Sequence, residues 1–217
     1  MVDEVKSVNR RAESARRTRR AITDAAAGLF VRDGYAATTI VAIAEEAGVA
    51  VQTVYAVFGN KPTIMAEVVD QAIAGDGAPV VVNARDWMRD VWEAPTGEER
   101  LRAYAGAVLR IMQGAADVLI SLDRAASAAP ELRALAAMTE DRRRAGAAAV
   151  IDSVRSVTPL RAGLRRTEAV DVLWLLNSPL VFQHLTSHAN WSAQRYERWL
   201  ADTLCRELLP SDPPAEI

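Results

Sequence analysis

Apolar residues recur at helical spacing along nearly the whole chain, and no segment keeps the strict alternation that a half-buried strand requires. The pattern predicts an all-α protein. Between residues 18 and 35, Ile22, Ala25, Ala26, Leu29 and Phe30 share one helical face, and Gly34 supplies a C-terminal glycine stop. Thr38 or Thr39 can cap a second, short helix with Ile40, Ile43, Ala44 and Ala47 on its apolar side and Glu45 and Glu46 on its polar side. Gly48 stands where the chain must turn sharply, and the small Ala44 lets another helix cross closely. A third helix, about Val51 to Phe58, would bury Val54 and Phe58. Asn60 can cap a fourth, about Lys61 to Ala74, where Pro62 is tolerated in the first turn and Ile64, Met65, Val68 and Val69 are the apolar positions.

Gly75, Asp76, Gly77, Ala78 and Pro79 then signal a loop and a change of domain. Beyond it the pattern predicts a short helix around Arg85 to Glu93. Further helices are expected at about Thr96 to Gly114, Asp117 to Ala128, Pro130 to Thr158, Thr167 to His188 and Ser192 to Leu209. Ser192 can cap the last, with Trp191 stapled onto Tyr196. The organisation expected is a flexible basic arm over residues 1–15, a helix-turn-helix DNA-binding domain over 16–61, a larger helical domain over 62–209 and a disordered tail over 210–217.

Two short helices about a glycine turn point to DNA. Side chains near the start of a recognition helix meet base edges in the major groove, so Gln52 can bond an adenine and Thr53 can reach a base or a phosphate. Val51 and Val57 can touch thymine methyl groups. Tyr55 and Lys61 suit phosphates, and Lys61 adds its charge to a helix N-terminus. Upstream, Arg10, Arg11, Arg16, Arg17, Arg19 and Arg20 form a basic run that can follow the backbone or enter a minor groove. A plain αα-hairpin with core aromatics and a solvated arginine tail is the alternative.

Ala25 with Leu29 and Phe30, Gly34-Tyr35, Thr38-Thr39, Ile43-Ala44, Ala47-Gly48-Val49, Thr53-Val54-Tyr55 and Phe58-Gly59-Asn60-Lys61 occur in an order that resembles the TetR (tetracycline-repressor-like) family of transcriptional regulators. The resemblance covers about residues 16–70. It implies phosphate contacts from Thr39, Thr53, Tyr55 and Lys61, and Thr38 is grouped with them in the expected DNA-binding set. The chain departs from the family pattern at Ala50, where a capping serine is usual, at Gln52, where glycine or proline is frequent, and at Val57, which is often polar.

The formal net charge of −2 divides unevenly: residues 1–61 hold nine Lys/Arg against seven Asp/Glu, and the remainder carries the acidic excess. That sign agrees with DNA contact by the N-terminal part. At 217 residues, half of them hydrophobic, the chain can build two cores. No apolar run of bilayer length and no signal segment is apparent, so a cytoplasmic setting is expected, and the single Cys205 reads as a buried small hydrophobe.

The resemblance further implies a homodimer and a pocket for a small hydrophobic or amphipathic effector. Pairing is expected through the last two helices, which carry Val172, Leu175, Leu176, Val181 and Phe182, then Tyr196, Trp199, Leu200 and Leu204. Candidates for the pocket are Trp92, Tyr104, Met112, Met138, Trp174 and Phe182, each of which ordinary core packing also explains. His184 and His188 form half of a metal site with no partner at motif spacing, so neither metal nor cofactor is expected. The reading is a repressor that leaves a palindromic operator when its effector binds. An α-helical enzyme or carrier is the competing class, although no nucleophile motif or glycine-rich phosphate loop appears, and a DNA-binding regulator that senses a protein partner is a third reading.

Overall fold

From Val2 to Ala27 the chain contains neither glycine nor proline and is rich in alanine and arginine, which favours one long helix. The computed structural model describes residues 2–75, Val82 and residues 85–210, with side chains from Glu13 onward. Helix α1 spans Val2–Arg32, so the segment expected as a flexible arm is helical from Val2 and continuous with the first helix of the expected DNA-binding domain. The loop expected at residues 75–79 lies outside the described residues from Asp76 onward, as does the expected tail from Ser211 onward.

The described residues are helical with no strand: α2 (Ile40–Glu46), α3 (Val51–Phe58), α4 (Lys61–Ala74), α5 (Arg89–Glu93), α6 (Gly97–Ala128), α7 (Arg133–Arg155), α8 (Arg166–Leu176), α9 (Pro179–Gln183) and α10 (Ala193–Leu208). The two helices expected between Thr96 and Ala128 are the single 32-residue helix α6. Gly114 does not interrupt it, and a Cβ there would make only an ordinary van der Waals contact, 3.4 Å from the Ala72 carbonyl oxygen. Helix α6 is also long and apolar enough to cross a bilayer, contrary to expectation, yet 56% of its most apolar window is buried inside the protein. The helix expected from Thr167 to His188 breaks at Asn177 and Ser178, where Ser178 caps α9 and Pro179 takes its first position.

The chain divides into two compact units. The first contains the residues through Gln71 together with Val118–Leu135, and the second contains Ala72–Asp117 together with the residues from Ala136. The division falls inside α4, α6 and α7. In the first unit Ile22, Phe30, Ile43, Val54, Ile64 and Met65 are buried with Leu122 and Leu132. Burial of each such large side chain contributes about 2 kcal/mol. Ser121 Oγ donates to the Phe30 carbonyl at 2.8 Å, which joins the end of α6 to α1 within this unit.

In the second unit Leu101, Val108, Ile151, Leu173, Leu200 and Leu204 lie in one apolar core. Arg100, 8% exposed, binds the carbonyls of Ala94 at 2.7 Å and Ser153 at 2.6 Å, so its buried N–H groups are satisfied by backbone. Gly97 donates to Thr158 Oγ1 at 2.8 Å, and a Cβ at Gly97 would stand 2.7 Å from Thr158 Cβ. Ser192 caps α10 as expected, accepting from Arg195 N at 3.2 Å. Trp191 meets Trp199 at 5.9 Å and the Arg195 guanidinium at 4.1 Å in the ring contacts about that cap, and Tyr196 instead contacts Phe182 and Trp199.

Tyr196, Leu200 and Leu204 of the expected dimer stripe are each 0% exposed, so that face of α10 belongs to the unit's own core. Leu175 and Leu180, by contrast, are 61% and 47% exposed.

Candidate functional site

The helix-turn-helix is assembled by a cap and a left-handed turn. Thr39, exposed, caps α2 by accepting from Ala42 N at 3.0 Å. Gly48 adopts φ 65° and lets Val49 N reach the Ala44 carbonyl at 3.0 Å, which returns the chain for α3. The axes of α2 and α3 bend by 108° across this turn, within the range of DNA-reading helix pairs.

Helix α3 anchors on Val54 and Phe58, 1% and 5% exposed. Its outer face is Gln52, Tyr55 and Ala56, all exposed, while Val51, Thr53 and Val57 are half-buried at its flanks. Ala50 precedes the helix in extended conformation and offers no side-chain cap, so the Val51 and Gln52 N–H groups are uncapped by it, while Thr53 N donates to the Ala50 carbonyl at 2.9 Å. Val41 on α2 is 50% exposed and was missed by the sequence reading. Its signal was an apolar residue lying off the face defined by Ile40, Ile43, Ala44 and Ala47.

Two residues of the expected DNA-binding set have other work. Thr38 is 2% exposed and its hydroxyl donates to the Gly34 carbonyl at 2.9 Å, which removes it from any DNA-facing surface. Lys61 is half-buried, and its Nζ donates to the carbonyls of Tyr35 at 2.8 Å and Thr38 at 2.9 Å while lying 4.1 Å from the centre of the Tyr35 ring. The expected free phosphate ligand is therefore a tie between α4 and the loop after α1. Burial lowers the Lys61 pKa, opposed by the nearby Glu131 carboxylate. Burial, and then Glu131, push the Tyr35 phenol up to about 12, and its hydroxyl is buried without a partner among the described residues.

The basic run is similarly divided. Arg19 forms a two-point pair with Glu67, at 3.0 and 2.8 Å, and its guanidinium lies 4.7 Å from the centre of the Phe58 ring. Arg20 stands 3.7 Å from Asp24, whereas Arg16 and Arg17 are exposed.

In the second unit Tyr104 and Met112 are in the core, and Trp92, Trp174 and Phe182 pack against it half-buried. Met138 is 43% exposed: Thr139, 5% exposed, takes the inward position beside it, and Met138 does not line that core. Sequence reasoning missed a polar group at the same place. The Tyr104 hydroxyl accepts from Asn177 Nδ2, and Asn177 Oδ1 accepts from Arg143 Nη2 at 2.7 Å. Arg143 Nη1 reaches both Glu140 carboxylate oxygens at 2.8 Å, and Trp174 Nε1 donates to the same carboxylate at 3.2 Å. The available signal was Asn177 before Ser178 and Pro179, a polar break in an apolar helix. His184 and His188 are exposed with their Nδ1 atoms 2.9 Å apart, and among the described residues no group of three His, Cys, Asp or Glu could hold a metal ion.

Residues 22–68, which contain the turn, α2, α3 and most of α4, match the family described as "Bacterial regulatory proteins, tetR family". No curated protein matches the chain. Several solved structures share its fold. One is a candidate transcriptional regulator from Saccharomonospora viridis in complex with choline, with 22% identity and a TM-score of 0.66 over 88% of this chain and 96% of that one. Another is the transcriptional regulator FadR from Bacillus subtilis in complex with stearoyl-CoA, with 18% identity and a TM-score of 0.67 over 85% and 96% of the two chains. A third is the ketosteroid transcriptional regulator KstR2 of Mycobacterium tuberculosis, with 18% identity and a TM-score of 0.62 over 89% and 95%.

Proposed function

Through its N-terminal domain the chain belongs to the tetR family of bacterial regulatory proteins, and from that premise we propose that it is a cytoplasmic, homodimeric transcriptional repressor released from operator DNA by a small-molecule effector. The observation that carries the reading is the exposed face of α3, where Gln52 and Tyr55 project outward from a helix anchored by Val54 and Phe58. Gln52 reads a base edge, with Thr53, Val51 and Val57 at the groove walls. Tyr55, Thr39 and the Val51 and Gln52 N–H groups of α3 hold phosphates. Val41 extends this surface from α2.

The second unit supplies the sensor. Structures sharing the fold are complexes with choline and with stearoyl-CoA, which supports small-molecule sensing by a helical domain of this kind. Tyr104, Met112, Trp92, Trp174 and Phe182 are the residues proposed around the effector. Pairing of two copies is assigned to the surface carrying Leu175 and Leu180, whose exposure a dimer would relieve. Effector and operator oppose each other by reciprocal linkage.

Selection of bound fragments from genomic DNA by the purified full chain tests this reading. A palindromic site with half-sites about one helical turn apart is the expected product. Retention of fragments with no shared sequence would overturn it.

A further inference from the structure

Helix α8 stops at Asn177, and its end is held by a side chain from another helix. Arg143 of α7, whose side chain is only 13% exposed, directs Nη2 to the Asn177 side-chain oxygen at 2.7 Å and to the Trp174 and Asn177 carbonyls, each at 3.3 Å. A helix leaves its final carbonyls without partners inside itself, and a cation there both donates to them and meets the negative end of the helix dipole. Arg143 is therefore a cap for α8 supplied by α7.

Its neighbours fix the cap in one orientation. Arg143 Nη1 reaches both Glu140 carboxylate oxygens at 2.8 Å, which holds the guanidinium plane, and the same carboxylate accepts from Trp174 Nε1 at 3.2 Å. Asn177 Nδ2 donates to the buried Tyr104 hydroxyl, so α6 holds the asparagine as well. In the preceding turn of α8, Asp171 pairs with Arg144, whose guanidinium lies 5.5 Å from the centre of the Trp174 ring. Apolar packing would join α7 to α8 without the desolvation that a largely buried arginine costs. What the planar fork adds is a fixed direction.

That direction governs the chain beyond the cap. Ser178 caps α9 and Pro179 takes its first position, so a new helix begins at once. Leu175 stands before the break and Leu180 after it, 61% and 47% exposed, and these are the side chains to which pairing of two copies is assigned above. A surface shared by two short helices complements a copy of itself only while the helices keep one angle. We infer that Arg143 is the positioning residue of this surface: by capping α8 it sets the angle at which α9 leaves, and with it the placing of Leu180 against Leu175. The inference rests on the assignment of pairing to these two leucines.

Sedimentation equilibrium of the full chain without DNA measures the dissociation constant of the dimer. Arg143→Met, which keeps the length of the side chain and removes the fork, is expected to raise that constant about tenfold, and Asn177→Ala, which leaves the pair of Arg143 with Glu140 intact, is expected to do the same. Gly97→Ala is the control for lost stability alone, since its Cβ would press on Thr158 and on Val154 in the last turn of α7, away from the cap. It is expected to melt lower and to leave the dimer constant within about twofold. Wild-type dimerisation in either cap variant, or an equal weakening in Gly97→Ala, would overturn the inference and leave the pairing assignment intact. That assignment has its own test: Leu180→Asp is expected to yield monomers, and a dimer that persists in this variant removes the assignment and the inference together.

Discussion

Lys61 caps two carbonyls at once, those of Tyr35 at 2.8 Å and Thr38 at 2.9 Å, with its ammonium 4.1 Å from the centre of the Tyr35 ring. A residue at the start of α4 thereby holds the loop between α1 and α2, and with it the approach to the recognition pair. Lys61→Ala is expected to destabilise the protein by about 2 kcal/mol, because two buried carbonyls lose charge-assisted donors. Urea unfolding measures this. The same variant should weaken DNA binding while changing the salt slope by less than the ~0.9 of a lost phosphate contact. A full unit of slope with unchanged stability would return Lys61 to the phosphate-binding set.

Tyr35→Phe tests the buried hydroxyl beside it. Removing an unpaired polar atom should leave stability unchanged or raise it by up to about 1 kcal/mol. The pH dependence has a definite sign. The folded-state phenol is raised to about 12 from its ordinary 10, so its contribution is fully present below pH 10 and is lost as pH rises through 12. Alkaline unfolding of the Phe variant should lack that component.

Glu67 gives the opposite case. Its hydrogen bond from Arg19 holds the carboxyl below the ordinary value of 4.5, so the pair stabilises the fold above that value and the contribution fades as pH falls through the lowered one. Both side chains are over a third exposed, at 43% and 35%, and solvent screening limits the effect to under about 1 kcal/mol. Glu67→Gln should lower the thermal midpoint slightly at neutral pH and match the wild type in acid. A variant deficit that persists in acid would show that packing under Phe58, and not the ion pair, is what was lost.

At the proposed interface, Tyr55→Phe should weaken binding to all duplexes by about fivefold, the effect of one hydrogen bond to phosphate. Gln52→Ala should relax preference at one position of each half-site by about 1–3 kcal/mol. Selection from a randomised duplex separates the two. An unchanged selected sequence for Gln52→Ala would remove it from base reading.

Gly97→Ala should cost about 2 kcal/mol, since the added Cβ would stand 2.7 Å from Thr158 Cβ. Combining it with Thr158→Ala, which removes Oγ1 at 2.9 Å but keeps the Cβ at 2.7 Å and loses the hydrogen bond from Gly97 N, should recover little of the loss in a thermal-melt comparison.

The N-terminal helices were legible because local signals agreed there: a threonine cap, a left-handed glycine and apolar residues at helical spacing placed α2, α3 and α4. Gly114 misled because glycine is the commonest mark of a helix end, whereas the apolar spacing on either side of it continues as one 32-residue helix. Lys61 and Arg19 were read as free cations since their partners, Thr38 and Glu67, are 23 and 48 residues away along the chain. The stripe on α10 was read as a dimer face because core and interface look alike in sequence, and burial of Tyr196, Leu200 and Leu204 resolves it. The Tyr104, Asn177 and Arg143 cluster was invisible for the same reason as the ion pairs: its members come together only when α6, α7 and the end of α8 pack.

The first unit is built from two stretches of sequence, with Val118–Leu135 completing what the residues through Gln71 begin. Leu122 and Leu132, buried in the whole chain, belong to that second stretch. The DNA reader is therefore not an interchangeable cassette. A hybrid regulator made by grafting only the N-terminal segment onto another sensor would inherit a foreign surface where Leu122, Leu132 and Ser121 now stand, and a working exchange must transplant both stretches together.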